Sequence, residues 1–176
     1  MRSTLLAGPA PDYTDPLGLL SACHRRMLGF CDLLARMQPH LATRGADEEA
    51  VDAARRVIHY FDTAAMLHHL DEERDLFPLL TRQPTLVPLM DRLRAEHREL
   101  ESQWQTLASQ LRHILGGAVE AEAFEDAVKL FCGTCREHID REETQLLPAA
   151  QECLESHELR GLGRAMAARR GLGALQ

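Results

Sequence analysis

Strand-forming residues are scarce in this chain of 176 residues: Val and Ile are few, aromatic residues make up 5%, and Leu, Ala, Glu and Arg dominate. That composition disfavours a sheet and favours helix. No apolar run reaches the roughly 20 residues of a membrane span. The opening stretch from Met1 to Pro16 has Gly, Pro and Asp where a secretory leader would carry its apolar core. The expected setting is therefore cytoplasmic and away from any membrane. No stretch is densely basic, and 20 Lys plus Arg against 27 Asp plus Glu leave a net charge of −7, which speaks against nucleic acid as a partner. Five cysteines, an odd number, argue for reduced thiols rather than a disulfide framework.

What is present is a chain 45% hydrophobic and 27% charged, enough apolar material for one core. Caps and breakers divide it. Asp15 before Pro16 opens a helix that reaches about Gln38, and Pro39 with Thr43 to Asp47 makes a loop. Asp47 caps a second helix running to about Leu80, and Pro84 opens the next connection. A third helix extends from about Thr85 to Leu115, stopped by Gly116 and Gly117, and a fourth from about Val119 to Ala150. The expected fold is all-α, an up-down-up-down four-helix bundle over residues 15–152. A flexible lead-in, 1–14, precedes it. A short fifth helix near Leu154 to Met166 and a mobile basic tail follow within 153–176.

Apolar residues recur at steps of three and four in each helix. The first stripe is Leu17, Leu20, His24, Met27, Cys31, Leu34, and the second is Ala54, Val57, Phe61, Ala64, His68, Glu72. The third runs Leu86, Met90, Leu93, His97, Leu100, Trp104, Leu107, Leu111, Ile114, and the fourth is Phe124, Val128, Phe131, Cys135, His138, Glu142. Each stripe holds one histidine. Two also hold a glutamate four residues later, only about 40° round the helix.

Six such groups facing one core would each cost about 1–3 kcal/mol unpaired, more for an ionised carboxylate. A cation supplies the partner. Imidazole nitrogen with carboxylate oxygen suits iron, manganese or zinc better than calcium. Two carboxylates, each with two oxygens, suit a pair of ions. The chain also repeats itself: His68 to Pro78 and His138 to Pro148 share the pattern His-x3-Glu-Glu-x2-Leu-x-Pro. Position 139 is Ile, so His68 with Glu72 is the register common to both halves, not His69 with Glu73. Glu73 and Glu143 lie about 140° from their histidines, outside the ligand set. The prolines bend or end the two helices just past the site.

On these residues the chain resembles the hemerythrin-like family, in particular its HHE cation-binding domains. The resemblance covers about residues 15–150: His24 after Asp15-Pro16, His68 and Glu72 with Leu-Phe-Pro beyond, His97 after Glu96, and His138 with Glu142. It implies a four-helix bundle with two non-haem irons, bridged by the two glutamates and an oxo or hydroxo group, that reacts with dioxygen or nitric oxide. Oxygen-carrying members have a second histidine one turn after the third-helix ligand, where this chain has Glu101. Glu101 is a seventh ligand, an outer carboxylate or a solvated side chain. The open position disfavours pure oxygen transport.

The leading expectation is a metal-binding protein that binds, senses or reduces a small oxidant such as dioxygen, nitric oxide or peroxide, or responds to iron and redox state. A di-iron oxidase or peroxidase with a defined substrate, and a structural module held together by its ion, are the alternatives. His59 and His113 read as surface, His40 and His157 fall beyond the stripes, and His69 reads as a donor behind the ligands. Cys132-Gly133-Thr134-Cys135 falls mid-helix without a second pair, so its cysteines read as small buried residues.

Overall fold

The computed structural model describes residues 12–172. The first helix, α1, spans Pro16–Arg44, and its free N–H groups begin to be satisfied by Asp15, whose side chain accepts from Gly18 at 3.0 Å. Helix α2 is built of Glu48–Tyr60, a π turn Phe61–Ala65, Met66–Asp71, a second π turn Glu72–Leu76 and Phe77–Leu80, all in continuous helical backbone. A 3₁₀ turn, Pro84–Leu86, leads into α3, Val87–Leu115. Helix α4 comprises Ala121–Arg141, a π turn Glu142–Leu146 and Leu147–Cys153, and α5 is Ser156–Arg169. There is no strand among the described residues.

One proline behaves differently from expectation. α1 runs through Pro39 to Arg44, because Leu41 is buried and the stop is set further on by Gly45, whose φ of 66° suits glycine, with its N–H donating to Leu41. Pro78 and Pro148 stand in helical backbone that runs on past them, to Leu80 and to Cys153. Each follows a π turn in which the ladder widens, so that Phe77 N–H reaches the Glu72 carbonyl and Leu147 N–H reaches that of Glu142. A proline ring crowds the carbonyl four residues back, and a widened turn just upstream relieves that crowding.

Two apolar clusters form the core. One holds Met27, Phe61, Leu100, Trp104, Phe131 and Cys135 with many neighbours, and the other holds Leu20, Leu76, Phe77, Leu93, Leu146 and Met166 with theirs. His24, His68, Glu72, His97, His138 and Glu142 fall in sequence between residues of the two clusters, and all six are buried. Leu86, at the head of the third stripe, is only half-buried, and a second departure from the expected stripes is in α2. Ala65, not Ala64, is buried, because the π turn at Phe61–Ala65 adds a residue to that turn.

α5 packs on α1 and α2. Its start carries a capping box between Glu155 and Glu158, and Arg82 grips Glu158 at 2.5 and 2.7 Å. Leu162 and Met166 enter the second cluster, while Gly163 sits where a Cβ would stand 1.9 Å from the Tyr13 carbonyl oxygen. The expected mobile tail is corrected here. The helix continues to Arg169, and Arg169 and Arg170 both pair with Asp71, which is 0% exposed. The expected lead-in ends in a turn, with Thr14 donating to Asp12 from both N–H and hydroxyl. Residues 1–11 and 173–176 of the two expected segments lie outside those described.

Candidate metal centre

One turn of each long helix delivers the site: His24 from α1, His68 and Glu72 from α2, His97 from α3, His138 and Glu142 from α4. The structure brings all six together. Donor atoms of His24, His68, Glu72 and Glu142 lie within 4.8 Å of one another, and so do those of Glu72, His97, His138 and Glu142. The two glutamates are common to both groups.

Inside the centre the Nε2 atoms point at carboxylates: His24 to Glu142 at 3.1 Å, His68 to Glu72 at 3.3 Å, His97 to Glu72 at 3.4 Å and His138 to Glu142 at 3.2 Å. Nε2 of His24 and of His68 are 3.0 Å apart. Both oxygens of Glu72 and of Glu142, and Nε2 of His97 and of His138, are buried without a hydrogen-bond partner. So many inward-facing acceptors in a buried core fit a cation that accepts their lone pairs.

The opposite ring nitrogens explain why Nε2 is the inward one. Nδ1 of His24 donates to Glu143 at 2.6 Å, Nδ1 of His97 to Glu73 at 2.7 Å, and Nδ1 of His138 to Glu96 at 3.1 Å. A carboxylate holding the Nδ1 proton fixes the tautomer and leaves Nε2 as a ligand. These carboxylates are themselves held. Ser21 donates to both oxygens of Glu143 at 2.7 and 2.8 Å, and Arg141 donates to both of Glu96 at 2.7 and 2.6 Å. Glu73 and Glu143 thus stand behind the ligands, as part of the doubled glutamate in each repeat. Glu96 carried no signal beyond adjacency to His97.

Charge balance in this core is severe. Burial alone would lower the pKa of His24 and His97, yet Glu142 and Glu72 outweigh it and raise His24 to about 11 and His97 to about 10. Burial would raise Glu72 and Glu142, and the charge of Glu142 would raise Glu72 further, but the surrounding histidines hold both carboxylates ionised, below the usual range. His68 goes the other way, lowered by burial. Without a cation, protons on histidine carry its charge.

The remaining sequence candidates sort plainly. Glu101 is exposed and belongs to neither group of converging donors; it lies in the wall of a cavity beside the site. His69 stacks on His97, ring centroids 4.1 Å apart and planes 16° apart, and donates to no ligand; its donor atoms lie within 4.8 Å of those of His97 and His138. His59, His113 and His157 are exposed, and His40 bonds Asp47, the α2 cap, at 2.8 Å. Cys31, Cys132 and Cys135 are buried free thiols, and Cys132 is pushed up by its neighbour Cys31 and by burial, which makes it a poor nucleophile.

Helices that bury four imidazoles against two carboxylates define a helical cation-binding domain. The chain matches the hemerythrin HHE cation binding domain over residues 15–150 and belongs to that family. It is also 30% identical over 159 residues to an uncharacterized protein of Haemophilus influenzae, an overlap of 90% of this chain and 91% of that one. No helix among the described residues is long and apolar enough to cross a membrane.

Proposed function

We propose that this is a cytoplasmic non-haem di-iron protein that binds, senses or reduces a small oxidant, such as dioxygen, nitric oxide or peroxide, or responds to iron and redox state. The observation that carries this reading is the sharing of Glu72 and Glu142 by the two groups of donors. His24 and His68 would hold one ion, His97 and His138 the other, and the two glutamates would bridge them. Manganese or zinc meets the same donor set, and availability decides among them. The succession of apolar clusters supports an up-down-up-down order, since α1 and α3 pass from the second cluster through the site to the first, and α2 and α4 pass the reverse way.

When bound, the ions supply electrons and open coordination positions to the oxidant and acidify bound water. The chain's own residues do the rest. Glu143, Glu73 and Glu96 keep the Nδ1 protons of His24, His97 and His138 off the donor nitrogens. Phe77, its ring 6.1 Å from that of His97 and nearly parallel, closes one side with apolar surface. On the other side a cavity of about 490 Å³ reaches His97 and His138 and gives the site access to solvent. Glu101 stands in that cavity's wall, and we read it as an outer carboxylate.

Elemental analysis of protein expressed in iron-replete medium tests this reading. About two irons per chain is the expected result, followed by spectral change on titration with dioxygen and nitric oxide. Zinc alone, or no metal, overturns it and leaves a structural module.

A further inference from the structure

We propose that the cavity beside His97 and His138 binds a neutral, flat aromatic molecule bearing a hydroxyl group, a ligand of the phenol class. This names a substrate class for the centre proposed above and rests on that reading for its chemistry, while the binding is measurable separately.

Size is the first argument. A diatomic oxidant needs a space comparable to the roughly 30 Å³ of one water, and about 490 Å³ lies in the range of sites for small organic ligands. The walls are the second. Phe61 and Trp104 lie with ring centroids 4.9 Å apart, Phe61 and Phe131 5.1 Å, Trp104 and Phe131 5.7 Å, and all three line the cavity with Met27 and Leu100. Such a surface stacks and edge-packs against a flat ring. Trp104 is fixed by donating Nε1–H to Asp62 at 2.9 Å.

The backbone supplies a third, independent observation. After their glutamates α2 and α4 share a π turn, but α2 has another, Phe61–Ala65, that α4 lacks among the described residues. That extra turn gives the cavity Phe61, Asp62 and Ala65, and Met66 follows at its rim, 55% exposed. The internal repeat is thus broken where the cavity is made, and single π turns of this kind are frequent at functional sites.

Polarity narrows the class. Asp62 faces Arg112 at 3.8 Å, Glu73 is held by His97 at 2.7 Å, and Arg98 and Glu101, of opposite sign, stand one turn apart in the wall. Asp62, Arg98 and Glu101 are exposed, so their charges stay in contact with water, and the buried wall formed by Phe61, Trp104 and Phe131 offers no counter-ion to an acid or an amine, which favours a neutral occupant. His69 provides the directional contact. Its ring lies in the wall near the ligand histidines, stacked on His97, with no hydrogen-bond partner among the described residues. An imidazole nitrogen there can pair with a hydroxyl. At the matching place in the repeat stands Ile139, which is buried in the apolar core.

The test is calorimetric titration of the full chain, as purified, with β-naphthol, naphthalene and β-naphthoate, with metal content measured on the same sample. β-Naphthol is expected to bind one per chain, more tightly than the other two. Ala65→Leu, which fills the cavity, is expected to weaken it about tenfold, and Met66→Trp, at an exposed rim position where folding is not at stake, to weaken it as well. His69→Phe keeps the stack and is expected to lose about fivefold, bringing β-naphthol level with naphthalene. No binding to the wild-type chain, equal binding of β-naphthoate, or unchanged binding in both Ala65→Leu and Met66→Trp would overturn the proposal. The two readings separate cleanly: loss of metal with naphthol binding intact sinks the di-iron function alone, and metal without naphthol binding sinks this inference alone.

Discussion

Glu143 Oε1 stands 2.6 Å from Nδ1 of His24, so the residue after one inward glutamate fixes an imidazole on another helix. Glu73 does the same for His97 at 2.7 Å, and the doubled glutamate of each repeat therefore serves the centre twice. Glu73→Gln with Glu143→Gln should leave the helices intact and lower metal affinity by about 10–100-fold. Competition with a chelator of known affinity checks it, and unchanged affinity would remove both residues from the site.

A harsher change addresses the ligands themselves. His68→Ala with Glu142→Ala takes one donor from each half of the repeat, the second of them a shared carboxylate. Metal binding should vanish while far-ultraviolet circular dichroism remains helical. Full metal content in that double variant would refute the assignment.

The metal-free protein should have a narrow range of stability in pH. His24 and His97 are raised from 6.5 to about 11 and about 10, so their stabilisation is complete below pH 6.5 and is lost as pH rises through those values. Glu72 and Glu142 are lowered from 4.5, so theirs is present above pH 4.5 and is lost on acidification. Denaturant midpoints of the metal-free protein should therefore peak between pH 4.5 and 6.5 and fall toward pH 10. Bound cations replace those protons, so metal uptake at neutral pH should release protons, visible as a calorimetric enthalpy that depends on the buffer.

Asp71 is wholly buried one residue before Glu72, and among the described residues its charge is met by Arg169 and Arg170 of the C-terminal segment. Replacing both arginines by alanine strands a buried carboxylate and should cost about 3–5 kcal/mol in urea unfolding. Asp71→Asn in the same background should recover part of that loss. A cost below about 0.5 kcal/mol would mark the pairs as ordinary surface bridges.

Gly163 tests the same docking by sterics. An added methyl would meet the Tyr13 carbonyl at 1.9 Å, so Gly163→Ala should destabilise by about 1–3 kcal/mol although alanine is the better helix former. A gain in stability would show that α5 can shift away from Tyr13 without loss.

Much of this protein was written in its residue order. Periodic apolar steps put His24, His68, His97 and His138 on inward stripes, because helix geometry is local and a buried stripe must repeat every three or four residues. The repeat His-x3-Glu-Glu also chose His68 over His69, and the four residues it picked converge with His24 and His97 in the structure. Tertiary structure alone decided what stands behind and beside them. Glu96 holds His138 from another helix, and no spacing within one helix could reveal that. The extra π turn that buries Ala65 instead of Ala64 begins at Phe61, whose ring packs on Trp104 of α3 and Phe131 of α4, contacts between helices that no local spacing reveals. The anchoring of Arg169 and Arg170 was hidden for the same reason: composition marks a basic tail as mobile, and only the fold brings the buried Asp71 to meet it.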